Sequence, residues 1–132
     1  MSTPRRPHYD TELRRVRGLG AAHTGTSHFI AQRVTSVALL LLSIAFIVIA
    51  AGLIGRNHAA VVQILGSPLV AILMLLFVCT TIYHMWIGMQ EIIIDYVHQD
   101  GPKFLTLIGN TFFCVVVGAA CVYALLKLSF GV

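Results

Sequence analysis

The side chains in this sequence best suited to chemistry cluster on one stripe of one apolar segment. His84, Gly88, Glu91 and Asp95 follow one another at intervals of four, three and four residues, and Tyr96 comes next. At about 100° per residue, a helix turns all four to within about 40° of the direction of His84. The eleven steps from His84 to Asp95 cover about 16 Å of helix rise. With Asp95 at a membrane surface, His84 therefore lies near the middle of the bilayer.

A neutral imidazole at that depth has two uses. It is a common metal ligand and the usual axial ligand of haem iron in membrane cytochromes, or it simply hydrogen-bonds a neighbouring helix. Position alone leaves both open. Gly88, one turn nearer the surface, removes the side chain that would otherwise obstruct a flat ligand beside His84. His58 and His98 fall in loops, and His8, His23 and His28 precede the first apolar run. A haem held by two histidines thus needs its second ligand from another chain.

Asp95 and Tyr96 suit a substrate that resides in the membrane yet takes protons from water. A quinone is such a substrate: its reduction consumes two electrons and two protons, so its pocket needs a hydroxyl such as Tyr96 and a proton relay such as Asp95. The plainer reading is an interfacial tyrosine beside a solvated acid. Arg33 either snorkels to lipid headgroups or pairs with an anion such as a haem propionate. Tyr83 and Trp86 read as packing or lipid-facing aromatics.

These residues need elements to hold them, and composition says which. Of 132 residues, 58% are hydrophobic and 11% charged, against about 25% charged in soluble domains. No Asp, Glu, Lys or Arg lies between Arg33 and Arg56, between Arg56 and Glu91, or between Lys103 and Lys127. Each gap is long enough to cross a bilayer as a helix, which takes about 20 apolar residues. Spans are predicted at 32–55, 67–93 and 104–128, behind a basic leader of residues 1–31. Long apolar runs cannot supply the alternating strands of a barrel, and the first run is too long for a signal-peptide core. The expected fold is an all-α integral membrane protein of three transmembrane helices, up-down-up, in a single membrane domain.

Positive charge orients it. Arg5, Arg6, Arg14, Arg15, Arg17 and Arg33 precede the first span and Lys103 lies in the second loop, whereas the opposite side has Arg56 and Lys127. Seven against two puts the N-terminus in the cytoplasm and the C-terminus in the periplasm. This accounts for the basic cluster and leaves no case for nucleic-acid binding. The Gly18-Leu19-Gly20 run lacks the Lys-Ser/Thr ending of a phosphate loop; it reads as a turn-rich approach to the membrane or a docking segment. The loop around Arg56-Asn57-His58 is expected to be short. Gly101-Pro102 stops one helix and starts the next. Cys79, Cys114 and Cys121 lie within spans at no metal-site spacing and read as packing residues. Small residues at Gly118, Ala119 and Ala120 allow close helix approach.

The block His84-Met85-Trp86-Ile87-Gly88-Met89-Gln90, followed by Asp95-Tyr96-Val97-His98, resembles the second helix of the hydrophobic membrane anchor subunit of succinate dehydrogenase. The run His28-Phe29-Ile30-Ala31-Gln32-Arg33-Val34-Thr35 is similar to the start of that family's first helix, and the likeness covers about residues 18–132. Ile94 departs from the family, where others have a polar residue, and the leader is longer and more basic than in its shortest members.

The resemblance implies that His84 is an axial ligand of haem b, with the second ligand from a cytochrome b subunit. It implies that Tyr96 hydrogen-bonds ubiquinone with Asp95 beside it, and that Arg33 lies near the haem propionates and the quinone. Such an anchor is not catalytic alone. It sits in the bacterial inner (cytoplasmic) membrane and partners a flavoprotein subunit that oxidises succinate and an iron–sulfur subunit that carries the electrons to quinone, in the tricarboxylic acid cycle and respiratory chain. The other readings are the anchor of a fumarate reductase and a cofactor-free three-helix scaffold of another membrane complex.

Overall fold

The computed structural model describes residues 23–130, and the side chains from 26 onward. Four helices follow in order: α1 His23–Leu53, α2 His58–Leu65, α3 Pro68–Tyr96 and α4 Asp100–Phe130. No strand occurs among the described residues. Three helices are long and apolar enough to cross a membrane, over Thr26–Leu53, Pro68–Tyr96 and Asp100–Phe130. The basic cluster from Arg5 to Arg17 and the Gly18-Leu19-Gly20 run lie outside the described residues.

At the end of the bundle that carries Arg33, Tyr96 and Lys103, each long helix runs past the hydropathy reading. α1 starts at His23 rather than at 32, α3 runs to Tyr96 rather than 93, and α4 starts at Asp100 rather than 104. Hydropathy marks where a chain can enter hydrocarbon, whereas a helix continues for as long as its backbone bonds and tertiary contacts favour it. His28 and Gln32 belong to α1 because they face α3, a contact that an apolar count cannot detect.

The first loop also differs from expectation, since it contains a helix of its own. Asn57 caps α2, its Oδ1 accepting from the Ala60 N–H at 2.9 Å, as its type favours. Gly55 takes φ +75°, a left-handed conformation that glycine adopts without steric cost and that closes α1. Ser67 donates to the Ile64 carbonyl at 2.7 Å, and Pro68 opens α3 at a position where its missing N–H costs nothing. At eight residues, α2 is too short to cross a membrane.

α3 is the central helix, packed against α1 on one side and α4 on the other. The buried residues are Ile87 and Ile93 of α3 and Asn110 and Cys114 of α4; α1 contributes none among the described residues. Close approach of α4 to α3 depends on Gly118, where an added Cβ would lie 3.4 Å from the Ile82 side chain. At the other end of the pair, a Cβ on Gly66 would lie 3.0 Å from the Leu128 carbonyl oxygen.

Candidate functional site

The polar stripe of α3 meets a matching stripe of α1. His28, Gln32 and Thr35 are spaced by four and three residues and so share one face of α1. Three antiparallel pairs result. Thr35 Oγ1 lies 2.7 Å from His84 Nδ1. The Gln32 amide nitrogen lies 3.4 Å from where a Cβ on Gly88 would be. His28 Nδ1 lies 3.7 Å from Glu91 Oε1, in a half-exposed pair.

The first pair bears on which ring nitrogen of His84 is free. Thr35 Oγ1 is also 2.8 Å from the Ala31 carbonyl oxygen and 3.1 Å from that of Gln32. A hydroxyl has one proton and two lone pairs, and a carbonyl oxygen can only accept. With Thr35 donating back to the Ala31 carbonyl of its own helix, its oxygen can accept from Nδ1–H of His84. Nδ1 then bears the ring proton, and Nε2 is left with a bare lone pair, which is what a metal ligand needs. The two readings of His84 are therefore compatible, because the hydrogen bond to the neighbouring helix occupies one ring nitrogen and leaves the other.

Among the described residues no three His, Cys, Asp or Glu side chains converge on a point. His84 would accordingly offer a metal a single protein ligand from this part of the chain. The room at Gly88 is bordered within this chain by the Gln32 side chain. The Gln32 Oε1 atom is buried without a hydrogen-bond partner.

Asp95 and Tyr96 lie at the far end of the stripe, both exposed, Tyr96 at 79%. The Tyr96 backbone carbonyl is 3.1 Å from His98 Nδ1, while Lys103 Nζ donates to the Ile94 carbonyl at 3.2 Å. That lysine serves one of the carbonyls left free where α3 ends, and so steadies the turn that presents Tyr96. Arg33 is exposed, with its guanidinium 5.1 Å from the centre of the Phe29 ring, a cation–π distance.

α4 braces the back of α3. Asn110 Nδ2 donates to the Trp86 carbonyl at 3.2 Å, and the Trp86 indole N–H donates to Thr111 Oγ1 at 3.2 Å. Cys114 Sγ sits 3.6 Å from Asn110 Oδ1. Tyr83 stacks on Trp86 with ring centres 6.0 Å apart, so both aromatics pack as expected. Cys114 is buried, whereas Cys79 is exposed in this chain. Thr35, Gln32, His28 and Asn110 had no individual role in the sequence reading. A signal existed for the first three, since their spacing mirrors that of His84, Gly88 and Glu91.

Residues 3–118 match the model of the succinate dehydrogenase/fumarate reductase transmembrane subunit family. The chain belongs to that family. A relative of this anchor in Paracoccus denitrificans, named succinate dehydrogenase hydrophobic membrane anchor subunit, is 35% identical over 123 residues, 93% of this chain and 95% of its own length. A protein of the same name in Rickettsia conorii is 28% identical over 120 residues, 89% of this chain and 94% of its own. A third, in Rickettsia bellii, is 25% identical over 116 residues. No solved structure matches the anchor.

Proposed function

We propose that this membrane-anchor subunit of succinate dehydrogenase binds one haem b together with a cytochrome b subunit and builds part of the ubiquinone site. The observation that carries the reading is the 2.7 Å contact of His84 Nδ1 with Thr35 Oγ1, which leaves Nε2 as the ring nitrogen without a partner among the described residues. That nitrogen belongs to a ring already oriented by Thr35, on a helix with two charged residues, Glu91 and Asp95, both toward one end. Ionisable groups within a span are costly and are kept for function. The donor fits the group, since haem iron takes a neutral imidazole nitrogen as axial ligand.

When bound, haem supplies one-electron transfer, and the chain's own residues do the rest. His84 would hold the iron through Nε2, and the cytochrome b subunit would supply a second ligand. Arg33, exposed beside Phe29, offers a fixed cation for propionate or quinone oxygens. Tyr96, exposed past the polar stripe, donates its hydroxyl proton in a hydrogen bond to a quinone carbonyl. Asp95 relays protons from water to that oxygen. The end carrying Arg33, Asp95 and Lys103 faces the cytoplasm, where an iron–sulfur subunit delivers electrons from a flavoprotein. The membrane is the bacterial inner membrane, and the anchor is not catalytic alone. The family description covers both succinate dehydrogenase and fumarate reductase; the relatives' names favour the former.

The test uses the complex co-expressed with its partner subunits. His84→Ala is expected to lose or alter the reduced haem absorbance. Tyr96→Phe is expected to keep haem and assembly while slowing quinone reduction. An unchanged haem spectrum in the first variant removes His84 as ligand, and wild-type turnover in the second removes Tyr96 from the quinone site.

A further inference from the structure

The geometry points to Thr35 as the positioning residue of His84, a neighbouring-helix hydroxyl that fixes the tautomer of the ring and sets how strongly Nε2 donates to iron. The inference rests on the haem reading above and goes beyond it, because it assigns a tuning role to a residue on a different helix from the ligand.

Three contacts carry it. Thr35 Oγ1 is 2.7 Å from His84 Nδ1, 2.8 Å from the Ala31 carbonyl oxygen and 3.1 Å from the Gln32 carbonyl oxygen. The opposite proton arrangement, with Thr35 donating to a bare Nδ1, leaves the hydroxyl oxygen facing two carbonyl oxygens with no proton between them. It also protonates Nε2 and abolishes the ligand. The back-bond to Ala31 restricts the side-chain rotation of Thr35 and so presets where its lone pair points. A hydroxyl that donates is a better acceptor, so the chain from the Ala31 carbonyl through Oγ1 to Nδ1–H is mutually strengthening.

Drawing Nδ1–H toward Oγ1 pushes electron density onto Nε2. A more basic nitrogen favours ferric over ferrous iron, so the contact lowers the haem potential and tightens ferric haem. Partners of this kind typically account for about 10–100-fold in metal affinity. The Gln32–Gly88 and His28–Glu91 pairs on the same stripe keep α1 in the register that presents Thr35 to the ring.

The experiment uses the intact complex with Thr35→Val, which keeps the shape and removes the hydroxyl, and Thr35→Ser, which restores it. Haem content is measured after extended dialysis, and the potential by spectroscopic redox titration. Thr35→Val is expected to lose haem about 10–100-fold more readily and to titrate at a higher potential. A tenfold greater weakening of the ferric than of the ferrous form reads as about 59 mV. Thr35→Ser is expected to return both toward wild type. If Thr35→Val does not assemble, Thr35→Ala is read by the same two measurements. A wild-type potential in the hydroxyl-free variant overturns the proposal, as does a shifted potential that Thr35→Ser fails to restore. His84→Ala, run alongside, separates the two levels. Unchanged haem there sinks the ligand assignment itself, whereas haem lost there with Thr35→Val at wild-type potential sinks the role of Thr35 alone.

Discussion

α3 is packed on two sides by different means. Against α4 it is closed: Asn110 and Cys114 are buried, Asn110 braces the Trp86 carbonyl, and Gly118 lets the helices approach until Ile82 is in contact. Against α1 it is open. That seam combines the Phe46–Phe77 stack, ring centres 4.8 Å apart, with the Thr35–His84 and His28–Glu91 contacts; none of its α1 residues is fully buried, and it leaves Nε2 of His84 and the buried Oε1 of Gln32 without a partner among the described residues. In hydrocarbon, apolar faces gain little by leaving lipid for each other, so association rests on close packing and hydrogen bonds. The α3–α4 seam uses both for stability. The α1–α3 seam uses its polar groups to orient one imidazole.

If that division is right, substitutions at the two seams separate stability from haem properties. The largest effect is expected at Gly118→Leu, which forces a side chain into Ile82 and destabilises the α3–α4 pair by about 1–3 kcal/mol. Thermal dissociation of the purified complex would show it, and an unshifted transition would mean the seam is looser than its geometry. Asn110→Leu removes one interhelical hydrogen bond, at a cost of about 0.6 kcal/mol, with the haem spectrum unchanged; a displaced spectrum would show that the two seams are not independent. Gly88→Ala is expected to do least. The nearest atom is the flexible end of Gln32, at 3.4 Å, which yields easily, and alanine is the better helix former. Loss of haem in Gly88→Ala would favour the open slot for a flat ligand and displace Gln32 from that space.

Much of this was legible in the sequence, for reasons that mark where legibility stops. Uncharged runs locate spans because charge in hydrocarbon is so costly. The common face of His84, Gly88, Glu91 and Asp95 follows from helix geometry alone. Pairing across helices does not, since it depends on rotation and register that no single segment contains; Thr35 and Gln32 therefore acquired their roles only once α1 was set against α3. α2 escaped notice because its eight residues are too few to stand out as a span, although Asn57 is a cap signal in plain view.

The spacing of the pairs between α1 and α3 has one more consequence. Thr35 with His84, Gln32 with Gly88 and His28 with Glu91 behave like the marks of a vernier scale. Sliding α1 by a single residue moves it only about 1.5 Å but turns its face by about 100°, and all three coincidences vanish together. Two greasy cylinders in lipid have many nearly equal ways to lie side by side. Three marks narrow these, and the same alignment that fixes the register orients the His84 ring.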